Sequence, residues 1–462
     1  MTADRNAFES LGFGLLLAII ALSPLPFGSN RPAAWFLLYT SVGVALLLWV
    51  AAGLVRQGRM RVPFRWFRWD AGLFLLLAAW FLVQAWSGTP STWHHPIWAA
   101  GGETLQTDLT GSISASRQDT IAGLLRFVAY GGVFFLAMQF GRSHRRARLA
   151  IGCVVITGVV YSIYGLIIKL GGFDTILWYK RWAYEDSLTS TFVNRNNFAT
   201  FGGLTLIGCA GLLTRIRRRA ESDSASTEGT QGEYLERFAT QGILLALGAI
   251  IILTAILLSH SRAGLLATAL ALAAFYFCGR HRRGGGDRLV PLLLSVTLFA
   301  VVAISGAVTW QRLDRETSVD IVDRWQIYGD TIEAIGKRPW LGHGLGTYRE
   351  VFEGHRSFQL WRAQTLDKAH NSYLEFFFEA GLPAGMLLLL QWSRIFLRCL
   401  CGVRRRRRDS VYPAIAIGAG VLLACHSLVD FPIQIPAVAT LFIFLMGIGY
   451  AQSWPSATNS EA

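Results

Sequence analysis

Residues 33–55 read AAWFLLYTSVGVALLLWVAAGLV, an apolar run without a charged side chain. The hydrocarbon core of a bilayer is about 30 Å thick, and a helix needs about 20 apolar residues to cross it. The run Ala33–Val55 is therefore long enough to span a membrane. Runs of similar character recur from one end of the chain to the other, and they predict an all-α polytopic membrane protein.

The composition supports this prediction. The chain has 462 residues, of which 53% are hydrophobic and only 16% are charged. Its mean hydropathy is +0.40. Soluble domains of this total length would carry more charge, so the composition argues against two or three soluble domains.

Twelve spans can be counted in the sequence. They are Phe8–Phe27, Ala33–Val55, Phe67–Trp86, Ile121–Phe140, Leu149–Leu170, Asn197–Leu213, Gly242–Leu258, Ala263–Phe277, Leu289–Val308, Ser372–Leu397, Ala414–Val429 and Pro436–Ala451.

Basic residues give the orientation. The net charge of +14 would also suit a nucleic-acid-binding protein, but the arginine clusters fall in short segments between apolar runs, as in Arg142–Arg148 and Arg394–Arg408. Positive charge beside spans marks the cytoplasmic side. We therefore expect no nucleic-acid partner, both termini in the cytoplasm and a first span that is not cleaved.

The longest segment on the outer side separates the ninth and tenth spans. We expect three parts in the chain: spans one to nine in residues 1–308, a large outer loop in residues 309–371, and the last three spans with a cytoplasmic tail in residues 372–462. The polar segment at about 220–236 is predicted to be a disordered cytoplasmic connector.

The outer loop contains a predicted amphipathic helix. Apolar residues recur there at helical spacing, and Arg324 lies at the edge of that face. The residues of the face are Ile321, Trp325, Tyr328, Ile332 and Ile335. The spacing suits a helix on the membrane surface, with Arg324 at headgroup depth, and equally a helix packed on the protein.

His370 stands at the mouth of a predicted helix, in the stretch AHNSYLEFFFEAGLPAG at Ala369–Gly385. The positive end of the helix dipole and nearby basic residues disfavour a charged imidazole there. A histidine held neutral near pH 7 can act as a general base. Helix capping or contact with lipid headgroups is the alternative.

Three arginines lie close to apolar runs. Arg262, in SHSRAG, needs an anion, a wet cavity or lipid phosphates. Arg195 lies among the amides of NRNN (Asn194–Asn197), at a helix entrance that suits a sugar, a phosphate or a cap. Arg126 lies inside the fourth span, where it either pairs with an acid or reaches towards the headgroups.

Acids and further histidines are few on the outer side. Asp430, in HSLVDFPIQIP, lies in a tight outer turn, where it can orient an imidazole, pair with an arginine or form the turn. His94 and His95, with Glu103 and Asp108, match no standard metal-site spacing, so we expect no metal and no cofactor. Several arginines, a neutral histidine and little acid suit a pyrophosphate-bearing lipid substrate.

The motifs together resemble the O-antigen ligase and polymerase superfamily. His370, Asn371 and Gly381 match its signature, although the last signature position falls on Ala384, with Gly385 one place late. Five further segments are similar to family motifs and occur in the same order. They are PLPFGSNRP (Pro24–Pro32), SRAG (Ser261–Gly264), the pair Arg324–Trp325, KRPWLGHGLGTYREVF (Lys337–Phe352) and SLVDFPIQIPA (Ser427–Ala437).

This resemblance implies a GT-C-like membrane fold and an inverting, metal-independent glycosyltransferase. It implies a glycan donor on undecaprenyl pyrophosphate, bound at the periplasmic face of the bacterial inner membrane, and a lipid A-core or glycan acceptor. It makes His370 the base, Arg262 and Arg324 the pyrophosphate ligands, and Asp430 a supporting acid. We add Arg195 to the ligands for its position, and Asn371 and Tyr373 as supporting residues.

Other functions are also compatible with these motifs. A polymerase of the same superfamily would extend a polyprenyl-linked glycan, and the motifs do not separate it from a ligase. The twelve spans and single large outer loop favour the ligase. A protein oligosaccharyltransferase differs only in its acceptor. A transporter of anionic lipids would use arginines but does not need the histidine.

Overall fold

The computed structural model describes residues 4–55, 60–224, 231–280, 317–357, 360, 366–406 and 409–455. Fifteen helices are named here in chain order. They are α1 (Asp4–Leu22), α2 (Pro32–Val55), α3 (Phe64–Ala85), α4 (Pro96–Leu105), α5 (Arg117–Gly141), α6 (His144–Leu170), α7 (Arg195–Ser224), α8 (Gln231–Leu258), α9 (Arg262–Arg280), α10 (Thr317–Lys337), α11 (Tyr348–Phe352), α12 (Ser372–Ala380), α13 (Leu382–Arg405), α14 (Val411–His426) and α15 (Pro436–Gln452).

The prediction of an all-α membrane protein is confirmed. Among the described residues, 7 helices are long and apolar enough to cross a membrane, and shorter apolar helices lie in α1, α9, α14 and α15. The sheet consists of two short antiparallel strands, β1 (Thr175–Ile176) and β2 (Tyr179–Lys180), which the sequence did not predict. The predicted ninth span, Leu289–Val308, lies outside the described residues, so the count of twelve stays a prediction.

Helix α15 forms the centre of the bundle. Every residue of Pro436–Gln452 is buried, because the helix is apolar on all sides and packs against α5, α14 and other spans. Gly447 permits the closest approach to α5, since a Cβ at this position would lie 2.8 Å from the carbonyl oxygen of Phe134. Helix α15 is thus surrounded by the other spans on all sides.

The predicted tenth span, Ser372–Leu397, is wrong as a single helix. It is broken at Gly381 into α12 and α13. Gly381 adopts φ 82°, a left-handed conformation that favours glycine, and a Cβ there would lie 2.6 Å from the carbonyl oxygen of Trp340. The backbone of the outer loop crosses the chain at this point, and Leu382 N–H donates to the carbonyl of Pro339 at 2.8 Å.

An outer layer covers the end of the bundle at which α14 ends and α7 and α9 begin, which is the outer end in the predicted topology. Helices α10, α11 and α12 form this layer around a small core of their own. The core contains Ile327, Ala334, Ile335, Tyr348, Val351, Phe352, Leu360, Ala369 and Phe378.

Helix α10 confirms the predicted amphipathic helix, but only part of the predicted face is buried: Ile335 lies in the core of the outer layer and Tyr328 packs against it. Trp325 and Ile332, placed on the apolar face, are 71% and 57% exposed, whereas Ile327 and Thr331 are buried. The face that contains Ile327 and Thr331 is buried because it packs on the core of the outer layer. The hydroxyls of Thr331 and Tyr348, which lie 2.9 Å apart, hold it there. The side chain of Ile321 lies outside the described residues.

The connector between α7 and α8 also differs from expectation. Helix α7 continues to Ser224 and α8 begins at Gln231. Both ends of the segment predicted to be disordered, 220–236, are therefore helical, and residues 225–230 lie outside the described chain.

Candidate active site

His370 and Asp430 lie together at the outer end of the bundle. Nδ1 of His370 is 3.5 Å from Oδ1 of Asp430, and the side chains are 25% and 1% exposed. At this distance the two atoms form no hydrogen bond, and Nδ1 of His370 is buried without another partner among the described residues. A contact of this length can tighten when a substrate binds. Within the described chain no hydrogen bond engages Nε2 of His370, so that nitrogen is the one available to a substrate hydroxyl.

The carboxylate of Asp430 is held on both oxygens. Oδ1 accepts from the N–H of Phe431 at 2.9 Å, and Oδ2 accepts from the amide of Asn196 at the start of α7. Burial raises the pKa of the Asp430 carboxyl, but its interactions with the imidazoles of His370 and His426 outweigh burial and lower it. The net pKa lies below its usual value, so Asp430 is a carboxylate at neutral pH.

The backbone of His370 is fixed in an unusual conformation. It has φ 51°, in the left-handed region that costs an L-residue about 1–2 kcal/mol. Two contacts hold it there: the hydroxyl of Tyr328 donates to its carbonyl at 2.9 Å, and its ring packs edge-on against Phe431 at 5.1 Å between centroids. Such conformations are common where a side chain is held for function.

Asn371 caps helix α12. Its Oδ1 accepts from the N–H groups of Tyr373 and Leu374 at 3.0 and 3.1 Å, and its Nδ2 donates to the carbonyl of Leu428 at 3.0 Å. Asn371 therefore ties the helix after His370 to the turn before Asp430. This is a supporting role, since both ends of its amide bind backbone.

Arg324 reaches the same turn from α10. Its Nη1 donates to the carbonyl of Val429 at 3.1 Å, one residue before Asp430. The side chain is partly exposed. A guanidinium has five N–H donors, so this contact leaves donors for an anion beside His370.

Arg195 and Arg262 begin neighbouring helices at this end. Arg195 begins α7, donates to the hydroxyl of Ser187 at 3.2 Å and lies over the ring of Tyr184. Arg262 begins α9 and is partly buried. A Cβ on Gly264 would lie 2.6 Å from that of Ala199, so the first turns of α9 and α7 are in close contact. Both arginines are thus at the level of Asn196 and Asp430.

A large cavity borders α12. It has a volume of about 1730 Å³, and Ser372 and Tyr373 contribute to its wall. Tyr373 also donates from its hydroxyl to the carbonyl of Ala424 at 3.0 Å, which fixes α12 to α14. His370, Arg262, Arg324, Arg195 and Asp430 are not part of this wall.

The other predicted candidates lie elsewhere. Nε2 of His94 lies 2.9 Å from the carbonyl oxygen of Thr89, and Nε2 of His95 lies 3.0 Å from Nδ1 of His343, so the two neighbours face different partners. Among the described residues no group of three His, Cys, Asp or Glu side chains is placed to hold a metal ion.

Sequence reasoning missed one residue of the turn. His426 is fully buried, and its Nδ1 lies 2.7 Å from the hydroxyl of Thr200 on α7. The carbonyl of His426 accepts from the N–H of Asp430 at 3.0 Å. Its spacing of four residues before Asp430, at the end of an apolar helix, is the signal that was available.

Residues 247–389 match the family model described as O-antigen ligase. This match, which covers residues 247–389 only, supports membership of the O-antigen ligase superfamily. The family consists of glycosyltransferase-like enzymes. The O-antigen ligase segment contains Arg262, Arg324 and His370, whereas Arg195 and Asp430 lie outside it. No curated protein matches the chain.

Proposed function

We propose that this membrane protein transfers a glycan from undecaprenyl pyrophosphate to the lipid A-core at the periplasmic face of the bacterial inner membrane. The observation that supports this most is the contact of His370 with the buried carboxylate of Asp430. The residue before Asp430, Val429, accepts a hydrogen bond from Arg324 at its carbonyl. A base and a cation side by side are what transfer from a pyrophosphate needs.

His370 acts as the general base in this proposal. Asp430 favours the tautomer that carries its proton on Nδ1, which leaves Nε2 to accept the proton of the acceptor hydroxyl. The hydroxyl oxygen then forms a bond to the anomeric carbon as the carbon–oxygen bond to pyrophosphate breaks. Attack from the side opposite the leaving group inverts the anomeric configuration.

Arg262, Arg324 and Arg195 bind the pyrophosphate. Guanidinium groups form paired hydrogen bonds to phosphate oxygens and stabilise the charge that develops on the leaving group. The three arginines belong to three helices, α7, α9 and α10, of which α7 and α9 pack against each other. Asn371 and Tyr373 hold α12 in place in this proposal. The proposal assigns this charge stabilisation to protein groups and requires no metal or cofactor.

The test uses purified protein in nanodiscs with an undecaprenyl-pyrophosphate glycan. One reaction contains lipid A-core and a second contains only further lipid-linked glycan. Glycan on lipid A-core supports the ligase, and a lengthened polyprenyl glycan in both reactions indicates a polymerase instead. Each reaction is repeated with EDTA; loss of transfer that added Mg²⁺ restores would contradict the metal-independent mechanism.

A further inference from the structure

Arg126 is an arginine on the wall of the large cavity. It lies nine residues into α5, about 13 Å from the start of the helix at the rise of an α-helix. Its guanidinium lies 4.5 Å from the ring centroid of Trp35, and its Nε donates to the hydroxyl of Tyr39 at 3.2 Å. Both contacts come from α2, so the side chain is held in one place.

No carboxylate of the described chain lies within ion-pair distance of this guanidinium. Glu379 acts on it electrostatically across the cavity, but its Oε1 accepts from the N–H of Tyr348 at 3.2 Å. Within the described residues the terminal nitrogens of Arg126 have no hydrogen bond, and the residue lines the cavity. A charge at this depth needs an anionic partner or a wet cavity.

The other acids on the cavity wall have partners or lie at its rim. Glu375 pairs with Lys368 at 3.3 Å, and Asp70 pairs with Arg394 at 3.0 Å near the inner end. Asp119 accepts from the hydroxyl of Ser116. The exposed acids Glu350 and Asp367 lie at the rim, where Arg31 and Arg349 are also exposed. Arg126 is thus a partly buried cation on this wall that has no ion pair within the described chain.

Below Arg126 the cavity wall is mostly apolar down to Asp70, which Arg394 holds. This part of the wall is formed by side chains such as Leu388, Phe396, Phe442 and Met446. Above it the outer loop closes in, because a Cβ on Gly123 would lie 2.8 Å from Cγ of Leu345. A cation between a polar rim and an apolar floor matches the layout of a phosphorylated lipid, whose phosphate lies above its acyl chains.

We propose that Arg126 binds a phosphate of the acceptor lipid inside this cavity. This inference rests on the proposed function: the arginines assigned to the donor are not on the cavity wall, whereas Ser372 and Tyr373, next to His370, are. The donor pyrophosphate and the acceptor phosphate would thus occupy different places around α12, with His370 just before the start of this helix. Trp35 and Tyr39 position the guanidinium, and the acyl chains occupy the apolar floor.

The test measures lipid binding by the full chain in phosphatidylcholine nanodiscs. The probes are lipid A carrying its phosphates and lipid A from which they have been removed. We expect the wild type to prefer the phosphorylated form and Arg126→Gln to bind that form about tenfold more weakly, with no change for the dephosphorylated form. Equal affinities in the variant and the wild type, or an equal loss for both lipids, would overturn the inference.

Two further variants make the test specific. Arg68→Gln also removes a guanidinium over a tryptophan ring, that of Trp69 at 5.5 Å, but Arg68 is exposed and off the cavity wall, so its affinities should not change. Arg126→Lys keeps the charge without the planar fork and should lose less affinity than Arg126→Gln. If the glutamine variant does not fold, the lysine variant must still show a selective loss for phosphorylated lipid.

A donor arm separates this inference from the proposed function. Binding of undecaprenyl pyrophosphate should be unchanged in Arg126→Gln; if it weakens while lipid A binding is unchanged, the cavity belongs to the donor and the inference is wrong. If the wild type transfers no glycan to lipid A-core yet binds phosphorylated lipid through Arg126, the proposed function fails and the lipid site stands.

Discussion

Nδ1 of His370 lies 3.5 Å from Oδ1 of Asp430, and the acid is buried while the imidazole is partly exposed. The acid is fixed by Asn196 from α7, and the histidine by Tyr328 from α10. Helix α7 of the bundle and helix α10 of the outer layer thus together set the distance between His370 and Asp430. If that distance sets the tautomer of His370, the reaction should depend on the charge of Asp430.

Asp430→Asn should lower kcat by about tenfold to a hundredfold without changing donor affinity, because the base keeps its place but loses the partner that orients its proton. Steady-state kinetics with saturating donor measures this. Asp108→Asn, in the exposed segment between α4 and α5, is the control and should leave kcat unchanged. A wild-type kcat in Asp430→Asn would show that the acid only shapes the turn.

Arg324→Ala should weaken donor binding, with an affinity about tenfold or more below that of the wild type, because a charge-assisted contact to pyrophosphate is lost. Arg324→Lys should recover part of it, since lysine keeps the charge but not the fork. Binding of undecaprenyl pyrophosphate in nanodiscs gives both values.

The control for Arg324 lies on the same helix. Lys337 pairs with Glu333 at 2.9 Å, and both side chains are more than half exposed, so Lys337→Ala should have little effect on donor binding. Equal losses in Arg324→Ala and Lys337→Ala would mean that α10 contributes general positive charge rather than a specific ligand.

Gly342→Ala should destabilise the outer layer by about 1–3 kcal/mol, the usual cost of overpacking. Gly342 has φ 67°, and a Cβ there would lie 2.4 Å from the carbonyl oxygen of Glu379. Gly336→Ala is the control, since Gly336 is exposed in α10 and a Cβ there meets nothing within 4 Å. Thermal unfolding in detergent compares them. A transition of Gly342→Ala at or above that of the control would contradict the tight backbone crossing.

Acid should weaken the outer layer through two buried histidines. Burial, then charges such as His343 and Arg338, lower the pKa of His95 from 6.5 to about 3, and burial lowers that of His343 from 6.5 to about 4. Both imidazoles are neutral when folded and protonate on unfolding below about pH 6.5. Their contribution to the free energy of unfolding is present above that pH. It is lost as the pH falls towards the pKa values of the two imidazoles in the folded protein.

Unfolding temperatures measured from pH 7 to pH 4.5 test this dependence. His343→Gln should flatten the profile, whereas His94→Gln, a change at the neighbour of His95 whose ring faces the carbonyl of Thr89, should keep it. An unchanged acid slope in His343→Gln would exclude this pair as its source.

The sequence predicted the bundle because span length and arginine placement act locally. Ala33–Val55 needs no partner to be recognised as apolar and membrane-length, and α2 covers Pro32–Val55. The break at Gly381 was not predicted, because the run Ser372–Leu397 is apolar throughout. What breaks it is a distant backbone, the carbonyl of Trp340, which no local pattern contains.

The site was predicted as residue types and not as a geometry. The resemblance named His370, Asp430, Arg262 and Arg324, but neither the contact of Arg324 with the Val429 carbonyl nor the burial of His426 follows from spacing. These long-range contacts depend on how α7, α10 and α14 are placed in the whole fold. No short segment of the sequence determines that placement. The roles of the site residues therefore remain predictions.

The most direct measurement is glycan transfer to lipid A-core by His370→Ala, with donor binding measured on the same sample. The account predicts that kcat falls by about a hundredfold to ten-thousandfold, as for loss of a general base, while donor affinity stays near that of the wild type. His355→Ala, which removes a histidine of the outer layer hydrogen-bonded to Val351, should transfer normally. Full transfer by His370→Ala would contradict the assignment of His370 as the base.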